Sequence, residues 1–161
     1  MGVANPSVSV ELIENTERLM GLREEWNELL ADSSADCLFL TWEWLSTWWR
    51  HLSGDRRLFV LMVRSQGRLV AIAPLVVRPP GISRILPFPA LEFLGTGSAG
   101  SDYLDLIIRR GMEEPVLSAL SEHLCGKKLI AKLAQLKKGS SKAEVTLARR
   151  LRREGLKRRE K

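Results

Sequence analysis

The first 126 residues of this 161-residue chain contain no lysine; all eight lysines fall at or after Lys127. Aromatic residues stop as abruptly, because none follows Tyr103. The C-terminal stretch therefore has no stacking platform for single-stranded nucleic acid. The two cysteines, Cys37 and Cys125, lie 88 positions apart. That excludes a disulfide framework and a cysteine metal cluster, and reads as two idle thiols in a reducing compartment. Only two histidines occur, His51 and His123. His123 precedes Cys125 as H-x-C, which is not a zinc spacing. A Ser-His-Asp or Cys-His device would need a convergence in space that the sequence does not show. Both histidines read as surface or packing residues. No apolar run reaches the roughly 18 residues of a membrane span. The opening MGVANPSVSVELIEN lacks a basic n-region and an apolar h-region, so a secretory signal is not expected and a cytoplasmic location is.

What is present is enough for one globular domain with a core. Apolar residues make up 45% of the chain. The net charge of +6 conceals a division. Residues 127–161 carry 14 Lys/Arg against 3 Asp/Glu, whereas residues 1–126 carry 11 against 16. We therefore read a folded region over 1–126 and a basic tail over 127–161, helical or disordered.

Four of the five tryptophans crowd into residues 39–52, FLTWEWLSTWWRHL. Thr41 is a natural helix cap there, and Glu43 suits the first-turn dipole. Trp42, Leu45, Trp49 and Leu52 recur on one helical face; Trp44 and Trp48 lie on a neighbouring one. A fully buried indole removes about 150–250 Å² from water, worth around 4–6 kcal/mol gross at ~25 cal/mol per Å². Trp42 and Trp49 are accordingly expected in the core. Trp44 and Trp48 are the candidates for a groove wall.

The remaining elements follow from periodicity. Val8–Ile13 reads as a strand. Asn15-Thr16-Glu17 supplies cap chemistry for a helix with Leu19, Leu22, Trp26, Leu29 and Leu30 inward, ended by Asp32-Ser33-Ser34. Two strands, Arg57–Ser65 and Arg68–Arg78, flank Gln66-Gly67 as a hairpin. The first is apolar on both faces and should be covered on both. Pro74 implies an edge, a bulge or a break in pairing. After a proline-rich excursion over 78–90 come a strand at Leu91–Leu94, a glycine loop at 95–101 and a strand at Tyr103–Ile108. A helix opens on Glu113, Glu114 and Pro115, with Leu117, Leu120 and Leu124 inward and Gly126 as its stop. In the tail, Leu129, Leu133 and Leu136 are helically spaced, and Ser141–Glu144 fits a capping box ahead of Val145, Ala148 and Leu151. The expected class is α/β or α+β, a mixed, mostly antiparallel sheet flanked by helices.

Three runs in order, FLTWEWLSTWWRHL, RLFVLMVRSQGRLVAIAPLVVR and LEFLGTGSAGSDYLDLII, resemble the N-terminal half of bacterial GNAT-type acyltransferases. The nearest group is the cellulose-biosynthesis (CelD-like) acetyltransferases, which are similar to Fem-type aminoacyl transferases in carrying two GNAT-like halves. The resemblance spans residues 8–125 and implies a GNAT-like half-domain. For the complete enzyme it implies transfer of an acyl group from acetyl-CoA or another acyl-CoA to an amine. The SDYLD segment falls within the match, so Ser98, Ser101, Asp102 and Tyr103 join Trp44 and Trp48 as acceptor-groove candidates, Asp102 being able to orient an amine or take its proton. The bland alternative for the glycine loop is a mobile connector.

The same resemblance places the coenzyme A pyrophosphate on a Q/R-x-x-G-x-G/A turn at a helix start, where backbone amides converge on an anion. The corresponding turn here is Arg109-Arg110-Gly111-Met112-Glu113-Glu114, with one glycine and two carboxylates. No cofactor site is therefore expected within this chain, and Arg109-Arg110 reads as a solvated turn. In tandem members the donor belongs to the second half, which is longer than the 35 residues after Gly126. We expect a truncated half-enzyme with an unrelated tail, as a gene truncation or shifted frame would produce. Two other functions stay open. The basic tail could bind nucleic acid or an acidic surface weakly and without sequence preference. Alternatively, the chain is one subunit of a two-chain acyltransferase and meets a second GNAT-like half.

Overall fold

The computed structural model describes residues 6–81, 89–97, 104–125, 127, 130–131, 146–147 and 149–153. The fold is α+β. Strand β1 (Val8–Ile13) leads into α1 (Thr16–Met20) and α2 (Arg23–Ala31). A 3-10 turn at Leu38–Leu40 precedes α3 (Trp42–Leu52). Then come β2 (Arg57–Leu58), β3 (Val60–Ser65), β4 (Arg68–Ala73), β5 (Leu75–Arg78), β6 (Ala90–Phe93) and β7 (Ile107–Ile108). Helix α4 (Glu113–Cys125) and the short β8 (Ile130–Ala131) follow.

Asn15 caps α1 as its chemistry demands, its side chain accepting from the Glu17 and Arg18 amides. The single helix expected after it is instead two. The chain turns at Gly21 and Leu22, whose backbone leaves regular helix geometry at ψ near zero. The apolar spacing survives the turn, and Leu19, Leu22, Trp26, Leu29 and Leu30 are all buried.

The strands form two four-stranded sheets, β1-β3-β4-β7 and β2-β5-β6-β8. One hairpin runs through both. Leu58 faces Val76 in the second sheet and Leu61 faces Ala73 in the first, in one register that holds to Val63–Ala71 and shifts at a bulge before Arg64–Leu69. At its tip Gln66 (φ 49°) and Gly67 (φ 79°) both take the left-handed conformation of a type I′ turn. Pro74 marks the place where the sheets part. On one side the Phe59 amide still bonds the Leu75 carbonyl at 3.0 Å. On the other side the partner strand changes, from β7 beside β4 to β6 beside β5. Proline has no N–H to give to either, and its carbonyl accepts from the Leu94 amide at 2.8 Å. As expected, β3 is buried on both faces, with α4 over β1 and β3, and α2 over β4 and β7.

Two sequence expectations change here. Among the described residues of the expected strand Tyr103–Ile108, only Ile107–Ile108 is strand; the Asp105 carboxylate accepts from the Leu106 amide at 2.7 Å, a local bond that competes with a strand ladder. The helical spacing of Leu129, Leu133 and Leu136 gives way at Ile130–Ala131, which pair in parallel with Ala90 and Leu91. Leucine spacing cannot register an open sheet edge; Leu129, Leu133, Leu136, the Ser141–Glu144 box, Val145, Ala148 and the expected helix stop Gly126 lie outside the described residues. Further on, Thr146–Leu147 and Arg149–Arg153 are helical. Leu147 is fully buried in the main core, and Arg150 pairs with Glu114 of α4. No helix among the described residues is long and apolar enough to cross a membrane.

Candidate functional site

The tryptophan segment folds as its cap predicts. Thr41 is the N-cap of α3, its hydroxyl accepting from the Trp44 amide at 3.3 Å and donating to the Leu38 carbonyl at 2.7 Å. The assignment of faces is partly reversed, however. Trp48 is the buried one of the four, at 4% exposure, and Trp42 and Trp49 are only half-buried. The reason is polar. The Trp42 indole donates to the Leu19 carbonyl at 2.8 Å, and the Trp49 indole donates to the Thr16 hydroxyl at 3.0 Å. Both rings therefore lie along α1 with their nitrogen edges satisfied, rather than deep in the core. The fully buried indole is Trp26, from α2.

Trp44 and Trp48 do line a groove. It encloses about 330 Å³, bounded by Leu38, Thr41, Glu43, Trp44, Thr47, Trp48, His51 and Leu52. These residues come from the 3-10 turn and from one stripe of α3, so a single helix supplies most of the surface. Phe39 braces Trp44 edge-on, with ring centroids 5.2 Å apart. Behind Trp48 the Arg56 guanidinium lies 5.6 Å from the ring and is held by Glu92 at 2.9 Å. The walls are thus positioned from behind. The rim is greasy, with Leu38 66% exposed and Leu52 48% exposed.

Glu43 is the one carboxylate at the groove. Arg23 Nε donates to it at 2.7 Å and Asn27 Nδ2 at 2.9 Å. These two bonds, Arg23's foremost, hold its carboxyl down to about 2. It is ionised at neutral pH, but its charge is balanced by Arg23. The groove therefore selects for apolar surface rather than for a cation. Sequence spacing found the Trp44–Trp48 pair; it missed Leu38 and Thr47, which carry no pattern of their own. Ser98, Ser101, Asp102 and Tyr103 lie outside the described residues.

The turn implied to seat a pyrophosphate has other duties. Arg109 is buried at 8% exposure, not solvated as its charge suggested. Its guanidinium donates to Asp32 and twice to the Leu69 carbonyl, at 3.1 and 3.3 Å, and lies 3.9 Å from Glu28. Arg110 Nη2 donates to the Ser33 carbonyl at 2.9 Å. The pair bolts the end of α2 to the sheet, a role that helical and strand periodicity could not reveal. Gly111 turns the chain at φ 85°, and the first turn of α4 presents the exposed Glu113 and Glu114. Both arginines are engaged and two carboxylates occupy the helix start, so these residues do not fit a pyrophosphate.

Comparison with protein-family models, with curated proteins and with solved structures yields no match to this chain.

Proposed function

We propose that this chain is a GNAT-like N-acyltransferase half-domain, working in the cytoplasm, whose α3 groove is the face that meets a second half. The observation that carries the reading is the groove: two positioned indoles and the exposed Leu52 on one stripe of α3, with the exposed Leu38 from the 3-10 turn beside them and no unbalanced charge. A solvent-exposed apolar face of this kind is characteristic of a surface that is covered in use. The resemblance of the three sequence runs supplies the chemistry, acyl transfer from acetyl-CoA or another acyl-CoA to an amine. The poor fit of the Arg109–Glu114 turn to pyrophosphate agrees with a donor held elsewhere in the two-half assembly. The half-buried thiols Cys37 and Cys125 suit a reducing cytoplasm.

The test is thiol release from acetyl-CoA, followed in the presence of a panel of primary amines, alongside calorimetric titration of acetyl-CoA alone. The reading expects no binding of acetyl-CoA by this chain alone and, once a donor-binding GNAT-like half is added, transfer that depends on the amine and falls at least tenfold in Trp44→Ala. No transfer to any amine by the two halves together would remove the acyltransferase reading. Tight binding of acetyl-CoA by this chain alone would refute the argument about the turn.

A second reading draws on charge. Arg149, Arg152 and Arg153 are exposed on the helical segment that follows the core. A basic-tailed module of this kind would retard random duplex DNA at low salt and release it steeply as salt rises. Absence of retardation at low salt would eliminate it.

A further inference from the structure

We infer that double-stranded nucleic acid docks by its phosphate backbone on a face built into the folded domain, the outward stripe of the helical residues 149–153. The inference deepens the charge-based reading above and rests on it; it is independent of the acyl chemistry. Composition divides the chain at residue 126, but packing does not. Leu147 is fully buried in the main core, Leu151 packs partly buried against it, and Arg150 pairs with Glu114 of α4. These three residues share one side at helical spacing, i, i+3 and i+4. The segment is therefore anchored to the core rather than trailing from it.

Arg149, Arg152 and Arg153 repeat that spacing on the other side. At 3.6 residues per turn they span an arc of about 100° opposite the leucines, and all three are exposed. No ion pair engages them among the described residues. Glu114, the carboxylate that reaches this segment, is met by Arg150. Each guanidinium is a planar fork that offers paired donors to phosphate oxygens. Because the backbone beneath them is already held, binding orders side chains only, not a length of free chain.

Two features favour a duplex over other polyanions. Leu147 and Leu151 turn inward, so the segment has no apolar face to lay into a bilayer as a membrane-surface helix does. No aromatic residue follows Tyr103, so the bases of a single strand have nothing there to stack on. A contact made to the backbone alone carries no sequence preference.

Fluorescence anisotropy of a short labelled random duplex, titrated with the full chain between about 50 and 200 mM salt, measures the contact. Changing Arg149→Gln, Arg152→Gln and Arg153→Gln together is expected to weaken binding at least tenfold and to reduce the salt slope by about 2–3, close to 0.9 for each lost phosphate contact. The melting temperature of the free chain should not move, because the three side chains are exposed. Removing equal charge from the end of the chain, by Lys157→Gln, Arg158→Gln and Arg159→Gln, is expected to weaken binding less than about threefold. Saturating duplex is expected to raise the wild-type melting temperature by about 3 °C or more, since the face exists only in the folded chain. Equal losses from the two triple variants would overturn the inference and leave the basic-tail reading standing. So would a melting temperature unmoved by bound duplex, because the same charges would then bind as well on the unfolded chain. Capture by acidic phospholipid vesicles without retention of duplex would assign the arginines to a bilayer and overturn it too. No retention of duplex at low salt removes this inference and the basic-tail reading together.

Discussion

The Trp26 indole donates to the Leu40 carbonyl at 2.9 Å, and both residues are fully buried. This bond ties α2 to the 3-10 turn that starts the groove. It also disposes of a carbonyl that would otherwise be stranded inside the protein. Trp26→Phe keeps most of the ring and removes the donor, and is expected to cost about 1–3 kcal/mol. Trp26→Ala adds a cavity and is expected to cost about 3–5 kcal/mol. Urea denaturation reads both, with the midpoint falling and the slope unchanged. A Trp26→Phe chain as stable as wild type would show that the bond contributes nothing.

Gly95 is expected to tolerate no side chain. Its φ of 98° lies where other residues rarely go, and a Cβ there would stand 2.9 Å from Leu45 Cδ2 and 3.1 Å from Leu104 Cδ2. The strained backbone and the overpacking should together make Gly95→Ala about 2–4 kcal/mol less stable. Adding Leu104→Val relieves one contact but not the backbone, so it should recover only part of the loss. Thermal unfolding of the three variants tests this. Full recovery in the double variant would mean that packing alone matters.

Much of this architecture was legible because it is local. Thr41 and Asn15 announced their helices through capping chemistry, and the apolar run around Val60–Val63 announced a strand covered twice. Pro74 announced a break, though not that the break would divide the sheet. The features that were not legible depend on distant partners. Nothing near Arg109 in sequence shows that Asp32 and Leu69 lie beside it, 77 and 40 positions away. Nor does the spacing of Trp42 and Trp49 reveal hydrogen-bond acceptors in α1 that draw those rings outward. The groove sits between these cases. Its indole pair follows from helix geometry alone, while Leu38 arrives by a tertiary turn.

Acid sensitivity should have separable sources, one at low pH that Glu25 shares with Glu43 and one at higher pH. The first is Glu25, whose carboxylate takes two bonds from Arg64, at 2.6 and 2.8 Å. Those bonds to Arg64 chiefly hold its carboxyl below the ordinary carboxylate range. A lowered carboxyl stabilises the fold above its unfolded value, and that contribution is lost as pH falls through the folded one. Stability should therefore decline from about pH 4.5 downward. Glu25 is 39% exposed, so the effect is screened and under about 1 kcal/mol. Glu25→Gln should reduce the slope of the pH profile in that window only, Glu43 retaining its own share. A slope there unchanged by the substitution would assign it to other carboxylates.

The second source lies at higher pH. His123 of α4 has its Nε2 buried with no hydrogen-bond partner among the described residues. Burial, and then the nearby Lys127 charge, push its imidazole below the ordinary histidine value. The fold therefore favours the neutral ring. As pH falls past about 6.5, the unfolded chain takes up its proton first, and stability drops until the folded histidine protonates too. His123→Leu removes the unsatisfied nitrogen and the titration together. It should gain about 0.5–1 kcal/mol at pH 7 and more at pH 5.5, so wild type and variant diverge as pH falls. Denaturant melts at pH 8, 7, 6 and 5.5 measure that divergence. Parallel profiles would mean that the His123 ring is reached by water and titrates as it does in the unfolded chain.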